Sequence, residues 1–260
     1  MDVVALLAIA EDAARAAGAE LLARWRGPVS GLVTKSSSVD LASDADRAAE
    51  AAVVGRIRER RPDDAILAEE GGATEGRSGI RWLVDPLDGT TNFLYGFPHW
   101  SVSVAALEAD GAVAAVVLDP VKDECFRAAR GGGAWCGGRR LRASDLDDLS
   151  LALVATGFSY DTAERVAQAR QQVELIARIR DLRRTGSAAL DLAYVASGRV
   201  DAYVETVASP WDWAAGRLLV TEAGGRATDV PGVRAGVPGI CASGAGIHDA
   251  LLAIVSVQTR

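Results

Sequence analysis

Residues 3–26 are rich in alanine and leucine, and Leu6, Ile9, Ala10, Ala13, Ala17, Leu21 and Trp25 recur near helical spacing. Gly27-Pro28 stops that helix. A short segment, 31–40, leads to a second helical pattern over 43–60, closed by Pro62. The period then becomes that of strands: 65–68, 81–85 and an alternating block at 100–107, which Gly111 separates from 113–118 as in a hairpin. A further strand pair brackets Gly131-Gly132-Gly133. Beyond about residue 145 strands and helices alternate. Strands are expected at 151–156, near Leu182, at 201–206 and around Ile240; helices at 162–178, 187–197, 211–223 and the C-terminus. This change of pattern predicts an N-terminal α+β subdomain over 1–145 and a C-terminal α/β subdomain over 146–260, packed as one unit.

Composition narrows the function. With 260 residues and 49% hydrophobic character the chain can bury a sizeable core. Its 28 basic and 35 acidic residues give a net charge of -7, a field that repels a phosphate backbone, so no nucleic-acid partner is expected. No apolar run reaches the roughly 18 residues that would span a bilayer, and Asp2, Glu11 and Asp12 are wrong for a signal peptide. Cys125, Cys136 and Cys241 are odd in number and scattered, which predicts neither disulfides nor a zinc site. These features predict a soluble, cytoplasmic protein. His99 and His248 cannot build a histidine-rich metal centre and read as surface or packing residues.

The chemistry lies in the acidic residues. Asp85-Pro86-Leu87-Asp88-Gly89-Thr90-Thr91-Asn92 puts two carboxylates three apart where an apolar strand ends. Pro86 holds Asp85 extended and Gly89 permits a sharp turn, so both carboxylates and the Leu87 carbonyl can face one space. Thr90 and Thr91 suit a helix N-terminus, whose free N–H groups attract phosphate. An Asp cap on a Pro-Asp-Gly turn is the plainer reading. Glu69-Glu70 follow a predicted buried strand, and Asp212 sits among aromatics in Pro210-Trp211-Asp212-Trp213, where a helix cap is again the plain alternative. If these clusters converge they need hard cations. About four carboxylates and a phosphate dianion total roughly -6, which two or three Mg²⁺ would neutralise. Ser43 and Asp46 are spaced as a capping box, yet a capping Asp can still reach Thr90.

Asp85 to Phe93, read D-P-L-D-G-T-T-N-F, and Trp211 to Gly216, read W-D-W-A-A-G, resemble the inositol monophosphatase family. The resemblance covers nearly the whole chain. It includes Val33-Thr34-Lys35-Ser36-Ser37 with Asp40, Asp44 and Asp46, the pair Glu69-Glu70, and Gly186-Ser187-Ala188. It implies an α/β fold (α+β in its first half) of layered α-β-α-β-α sandwich type, with the site where the halves meet. It implies Mg²⁺ as cofactor, two to three per site, with Li⁺ as an inhibitor. Glu69, Asp85 and the Leu87 carbonyl would hold one Mg²⁺, and Asp85, Asp88 and Asp212 a second. Glu69 would help with a third. Gly89 and Thr90 would offer N–H groups to the phosphate, and Thr90 paired with Asp46 would orient or deprotonate the attacking water. Lys35 and Glu70 would support the acidic site.

The same resemblance makes Glu205, seven residues before Asp212, the contact to substrate hydroxyls, with Gly186, Ser187 and Ala188 on the same wall. An acceptor-only carboxylate suits a polyol. Arg183 and Arg184 could meet a second phosphate, though solvation is the expectation. The implied enzyme is a phosphomonoesterase for inositol monophosphate, working as a homodimer. Fructose 1,6-bisphosphate, histidinol phosphate and adenosine 3′,5′-bisphosphate are the alternative substrates. A non-catalytic binding protein is the rival class. It would be expected to have lost a metal carboxylate or the water-orienting pair, and none is missing.

Overall fold

The computed structural model describes residues 2–35 and 41–257. Ser36, Ser37 and Asp40 of the N-terminal motif lie outside the described residues. In chain order the elements begin with α1 (Val3–Arg24), β1 (Val33–Thr34), β2 (Leu41–Ala42), α2 (Asp44–Arg60), β3 (Ala65–Ala68), β4 (Gly72–Thr74) and β5 (Arg81–Asp88). They continue with α3 (Thr90–Leu94), β6 (Ser101–Glu108), β7 (Gly111–Asp119), β8 (Glu124–Ala129), β9 (Gly133–Cys136) and β10 (Arg139–Arg140). The remainder is β11 (Leu153–Thr156), α4 (Thr162–Ile176), β12 (Asp181–Arg183), α5 (Ala188–Ala196), β13 (Ala202–Glu205), α6 (Pro210–Glu222), β14 (Arg226–Val230), β15 (Gly239–Ser243) and α7 (His248–Val257).

Two sheets organise these elements. The first has eight strands in the order β10-β9-β8-β7-β6-β5-β3-β4, and the second has five in the order β12-β11-β13-β15-β14. Three apolar layers hold them. Leu6, Ile9, Ala13 and Leu21 of α1 and Val53 and Ile57 of α2 pack on one face of the first sheet, against Trp82, Val84, Val102 and Val104. The alternate residues Leu83, Ala105, Val117 and Phe126 meet Leu190, Leu192, Leu219 and Val220 of α5 and α6, which also cover Tyr203 and Ile240 of the second sheet. Leu175 of α4 and Leu251, Ile254 and Val255 of α7 close the far face. The result is the expected α-β-α-β-α sandwich, and period-two alternation explains how one strand feeds two layers.

Most strands pair antiparallel, but β3 runs parallel to β5, and β11 runs parallel to both β12 and β13. Parallel neighbours end on the same side. The residues after β3 therefore lie beside the end of β5, and the same holds for β11 and β13. The glycine cluster forms the expected β8–β9 hairpin turn, where Glu222 accepts the N–H groups of Gly131 and Gly133 at 2.8 Å each. All three cysteines are free and buried. His248 is fully buried between the Thr228 and Ser243 hydroxyls, 2.9 and 2.8 Å away. His99 packs edge-on to the Tyr194 ring, and burial pushes it down to about 4, so it stays neutral.

Candidate active site

A cavity of about 370 Å³ opens at the carboxyl ends of these parallel strands, lined among others by Lys35, Glu69, Asp88, Thr90, Glu205 and Asp212. Asp85, Leu87, Gly89, Gly186, Ser187 and Ala188 also line it. The wall thus brings together residues from distant parts of the sequence.

β5 was expected over 81–85, and Pro86 has no N–H to offer a ladder. The strand reaches Asp88 instead, and its pairing with β6 slips between Asp85 and Asp88. Asp85 Oδ1 accepts the Leu87 N–H at 3.0 Å across this irregular stretch. Gly89 then turns the chain into α3 at φ +97°. A Cβ there would stand 3.1 Å from the Gly186 carbonyl oxygen and 3.2 Å from that of His99, so glycine is needed for conformation and for space.

The buried Thr90 hydroxyl lies 3.1 Å from Asp46 Oδ1 and 3.1 Å from the Leu87 carbonyl oxygen, two acceptors for one proton. Asp46 Oδ2 meanwhile accepts the Ser43 N–H at 2.8 Å and its hydroxyl at 2.6 Å. The capping box is real, and the same carboxylate faces Thr90 with its other oxygen. Asp212 repeats the device: it caps α6 by accepting the Ser209 N–H at 2.7 Å while lining the cavity.

Asp88 is held by the start of α5. Its Oδ2 accepts from the Ser187 hydroxyl at 2.5 Å, the Ala189 N–H at 2.8 Å and the Ser101 hydroxyl at 3.3 Å, and Oδ1 accepts the Ala188 N–H at 3.2 Å. Ser187 and Ala188 thus line the cavity while their polar groups serve Asp88. Asn92 ties the neighbouring loops together, donating to the carbonyls of His99 at 2.7 Å and Thr185 at 2.9 Å.

Burial and, after it, like charge set the electrostatics. Burial first, then the charges of Glu69, Asp88 and Asp212, push Asp85 well above the usual carboxylate range. Burial and the charges of Glu69 and Asp88 do the same to Asp212. Burial pushes Asp88 up to about 6, against the pull of its Ser187, Ala189 and Ala188 donors. Lys35 Nζ lies 2.8 Å from Glu69 Oε1 and pairs also with Glu70. Among the described residues no three acidic, cysteine or histidine side chains are gathered tightly enough to enclose a metal ion. The donors nevertheless fit a hard cation in kind. Asp85 and Glu69 stand within hydrogen-bonding reach of each other, which two carboxylates tolerate only with a proton or a cation between them.

On the second wall, Tyr203 donates its hydroxyl to Glu205, whose carboxyl burial pushes up to about 7. Gly157 leaves the room: a Cβ there would fall 2.3 Å from Glu205 Oε2. Arg183 pairs with Asp181 at the surface as expected, but Arg184 was expected to be solvated too and instead lines the cavity. Asp191, also in the lining, is buried and accepts the Thr185 hydroxyl at 2.6 Å. Sequence reading passed over Asp191 and Tyr203. A charged residue inside the apolar helix Ala188–Ala196 was the available signal for the first; Tyr203 gave none.

Fold and site together define a layered α/β protein with an acidic, oxygen-lined cavity between two sheets. The inositol monophosphatase family model matches residues 2–257, and the chain belongs to that family. A Nus factor SuhB from Xylella fastidiosa is 46% identical over 224 residues, 86% of this chain and 81% of that protein. The extragenic suppressor protein suhB of Bartonella henselae superposes with TM-score 0.90 at 36% identity, covering 96% of this chain and 98% of its own. The inositol monophosphatase of Anabaena (Nostoc) sp. PCC 7120 gives 0.83 at 38% identity, covering 98% and 96%. Membership of this family supports phosphatase activity. Among the described residues no helix is long and apolar enough to cross a membrane.

Proposed function

We propose that the chain is a Mg²⁺-dependent phosphomonoesterase acting on inositol monophosphate. The observation that carries this reading is the group of mutually repelling carboxylates Glu69, Asp85, Asp88 and Asp212 around one cavity with the Thr90–Asp46 pair at its edge. These carboxylates and the Leu87 carbonyl would hold Mg²⁺, which acidifies a water and stabilises charge on the phosphoryl oxygens. Everything else falls to the chain itself. The first N–H groups of α3, at Gly89 and Thr90, lack intrahelical partners and can receive phosphate oxygens. With its hydroxyl directed to Asp46, Thr90 offers a lone pair to the attacking water, orients it in line and passes its proton to the carboxylate. Glu205, ionised, accepts hydrogen bonds from two adjacent hydroxyls of the leaving polyol, and Gly186, Ser187 and Ala188 shape the wall beside it.

The division at residue 145, the homodimer, inhibition by Li⁺ and a cytoplasmic location belong to the same proposal. The name of the Xylella relative, a Nus factor, supports a second reading as a binding protein. The complete set of site carboxylates favours the enzyme. Phosphate release at fixed Mg²⁺, compared by kcat/KM across myo-inositol 1-phosphate, fructose 1,6-bisphosphate, histidinol phosphate and adenosine 3′,5′-bisphosphate, tests both. A lead for the inositol ester is expected. A lead for another ester overturns the substrate, and no release from any overturns the enzyme.

A further inference from the structure

Glu50 is a buried carboxylate that the reaction above does not use. It lies on α2 one turn beyond Asp46, on the face formed by Ala45, Ala49, Val53 and Ile57, and is only 9% exposed. A charge on a core-facing stripe is costly unless it is fully partnered. Its partners are the backbone of the loop that carries Glu69. Glu50 Oε2 accepts the Glu70 N–H at 2.8 Å, and the carboxylate also accepts the N–H of Gly71.

The loop explains why a carboxylate is needed. Glu69, Glu70 and Gly71 connect β3 to β4, which pair antiparallel with Ala68 opposite Gly72. The Glu69 N–H is satisfied by the Val84 carbonyl at 3.2 Å, continuing the β3–β5 ladder. The next two N–H groups turn inward and form a concavity that attracts an anion. A carboxylate has two acceptor oxygens and no donor, which matches two adjacent N–H groups. The fit is close, since a Cβ on Gly71 would fall 2.4 Å from Glu50 Oε1. One helix face therefore holds both halves of the chemistry, with Asp46 directed to Thr90 and Glu50 clamping the Glu69 loop.

We propose that Glu50 is a positioning residue for the metal site: by clamping the Glu70 and Gly71 N–H groups it fixes the Glu69 carboxylate opposite Asp85. This rests on the metal-dependent reading given above. Groups that orient a metal ligand typically alter affinity about 10–100-fold when removed.

The test is direct Mn²⁺ binding to the metal-free full chain by titration calorimetry, beside kcat and KM for myo-inositol 1-phosphate and the melting temperature. Glu50→Ala is expected to weaken the tightest Mn²⁺ site about 10–100-fold and to lower kcat more than it raises KM. Glu50→Gln keeps the shape and one acceptor oxygen, and is expected to lie between Glu50→Ala and wild type in Mn²⁺ affinity. Mn²⁺ affinity within about threefold of wild type in Glu50→Ala would overturn the proposal, whatever its melting temperature. If that variant does not fold, wild-type affinity in Glu50→Gln overturns it equally. A wild-type chain that neither binds Mn²⁺ nor releases phosphate removes the metal reading itself, and the wild-type control separates that result from failure of the clamp alone.

Discussion

Replacing Asp88 by asparagine separates what the cavity does for catalysis from what it costs the fold. Burial lifts the Asp88 carboxyl from 3.8 to about 6. About two pH units at ~1.4 kcal/mol each make the ionised form cost the metal-free fold about 3 kcal/mol at neutral pH. The folded chain holds this proton more tightly than the unfolded one. The stability associated with it is therefore present below pH 4 and lost as pH rises through about 6. Asparagine carries no such penalty. It keeps an acceptor for Ser187, Ala189 and Ser101 but turns an amide N–H toward the Ala188 N–H, an unsatisfied pair worth roughly 1–3 kcal/mol. The two effects nearly cancel at pH 7, so metal-free Asp88→Asn should melt within about 5 °C of wild type, given ~2–4 °C per kcal/mol for a chain of this size. At pH 4, where wild type is protonated and relieved, the variant should be the less stable of the two. Catalysis has no such compensation. A unit charge lost about 4 Å from a cation at an effective dielectric near 20 is worth about 4 kcal/mol, or about 10³-fold in kcat. Calorimetric melts in chelator from pH 4 to 8, beside phosphate release in Mg²⁺, read both quantities. A stability difference that does not move with pH, or near-wild-type turnover, would refute the reasoning.

Other consequences are as specific. Glu205, pushed up to about 7, has acceptor oxygens for two adjacent hydroxyls at once only when ionised, so KM for an inositol ester should fall between pH 6 and 8. Glu205→Gln should remove that slope and raise KM about tenfold at pH 8, and a slope that survives the substitution counts against the polyol wall. Asn92→Asp loses both donors to the His99 and Thr185 carbonyls, for which we expect about 3 kcal/mol of destabilisation and a melt lower by roughly 6–12 °C. An unchanged melt would mean that Asn92 does not tie the loops. Gly89→Ala must place a Cβ at φ +97° against two carbonyl oxygens, and should cost about 1–3 kcal/mol in urea unfolding together with most of kcat. A variant with the wild-type urea midpoint would show that the turn relaxes.

Much of this was legible in the sequence, and the exceptions share a cause. Helices α1 and α2 and strands β3, β6 and β7 announce themselves because a repeating apolar face must meet a layer. β4 and β14 do not: all three residues of Gly72–Thr74 are exposed, and only Val230 of Arg226–Val230 is buried. Each is an edge strand made by its neighbour's free hydrogen-bonding groups rather than by its own periodicity. β5 departs in the opposite direction, running past the Asp85 at which it was expected to end, with its register against β6 slipping between Asp85 and Asp88. Glu69, Asp85 and Asp88 could be picked out because they follow or end apolar strands, and Asp212 because it stands among aromatics at a helix start. Asp191, inside an apolar helix, was passed over. Glu50, which interrupts an apolar face with a charge, carried a signal of the same kind that went unused. Arg184 and Tyr203 reach the cavity only through the parallel packing of the second sheet, and nothing local records that.

Asp46 and Asp212 could each be read as a helix cap or as a working carboxylate, and the geometry leaves room for both at once. A capping box uses one carboxylate oxygen to receive a backbone N–H, and the carboxylate has two. Asp46 spends Oδ2 on Ser43 and presents Oδ1 to Thr90; Asp212 spends Oδ2 on Ser209 within the cavity wall. The cap also fixes the rotamer, so the second oxygen is oriented before any ligand arrives, which is the condition for electrostatic catalysis without reorganisation. α6 starts in the cavity wall, and its N-terminal dipole works against the burial and like charge that push Asp212 up. Asparagine at either position could still cap with its oxygen, but its uncharged amide would face the site. A substitution that preserves the helix and abolishes the chemistry is therefore the expected signature at both residues, and one that melts the helix while sparing turnover would refute it.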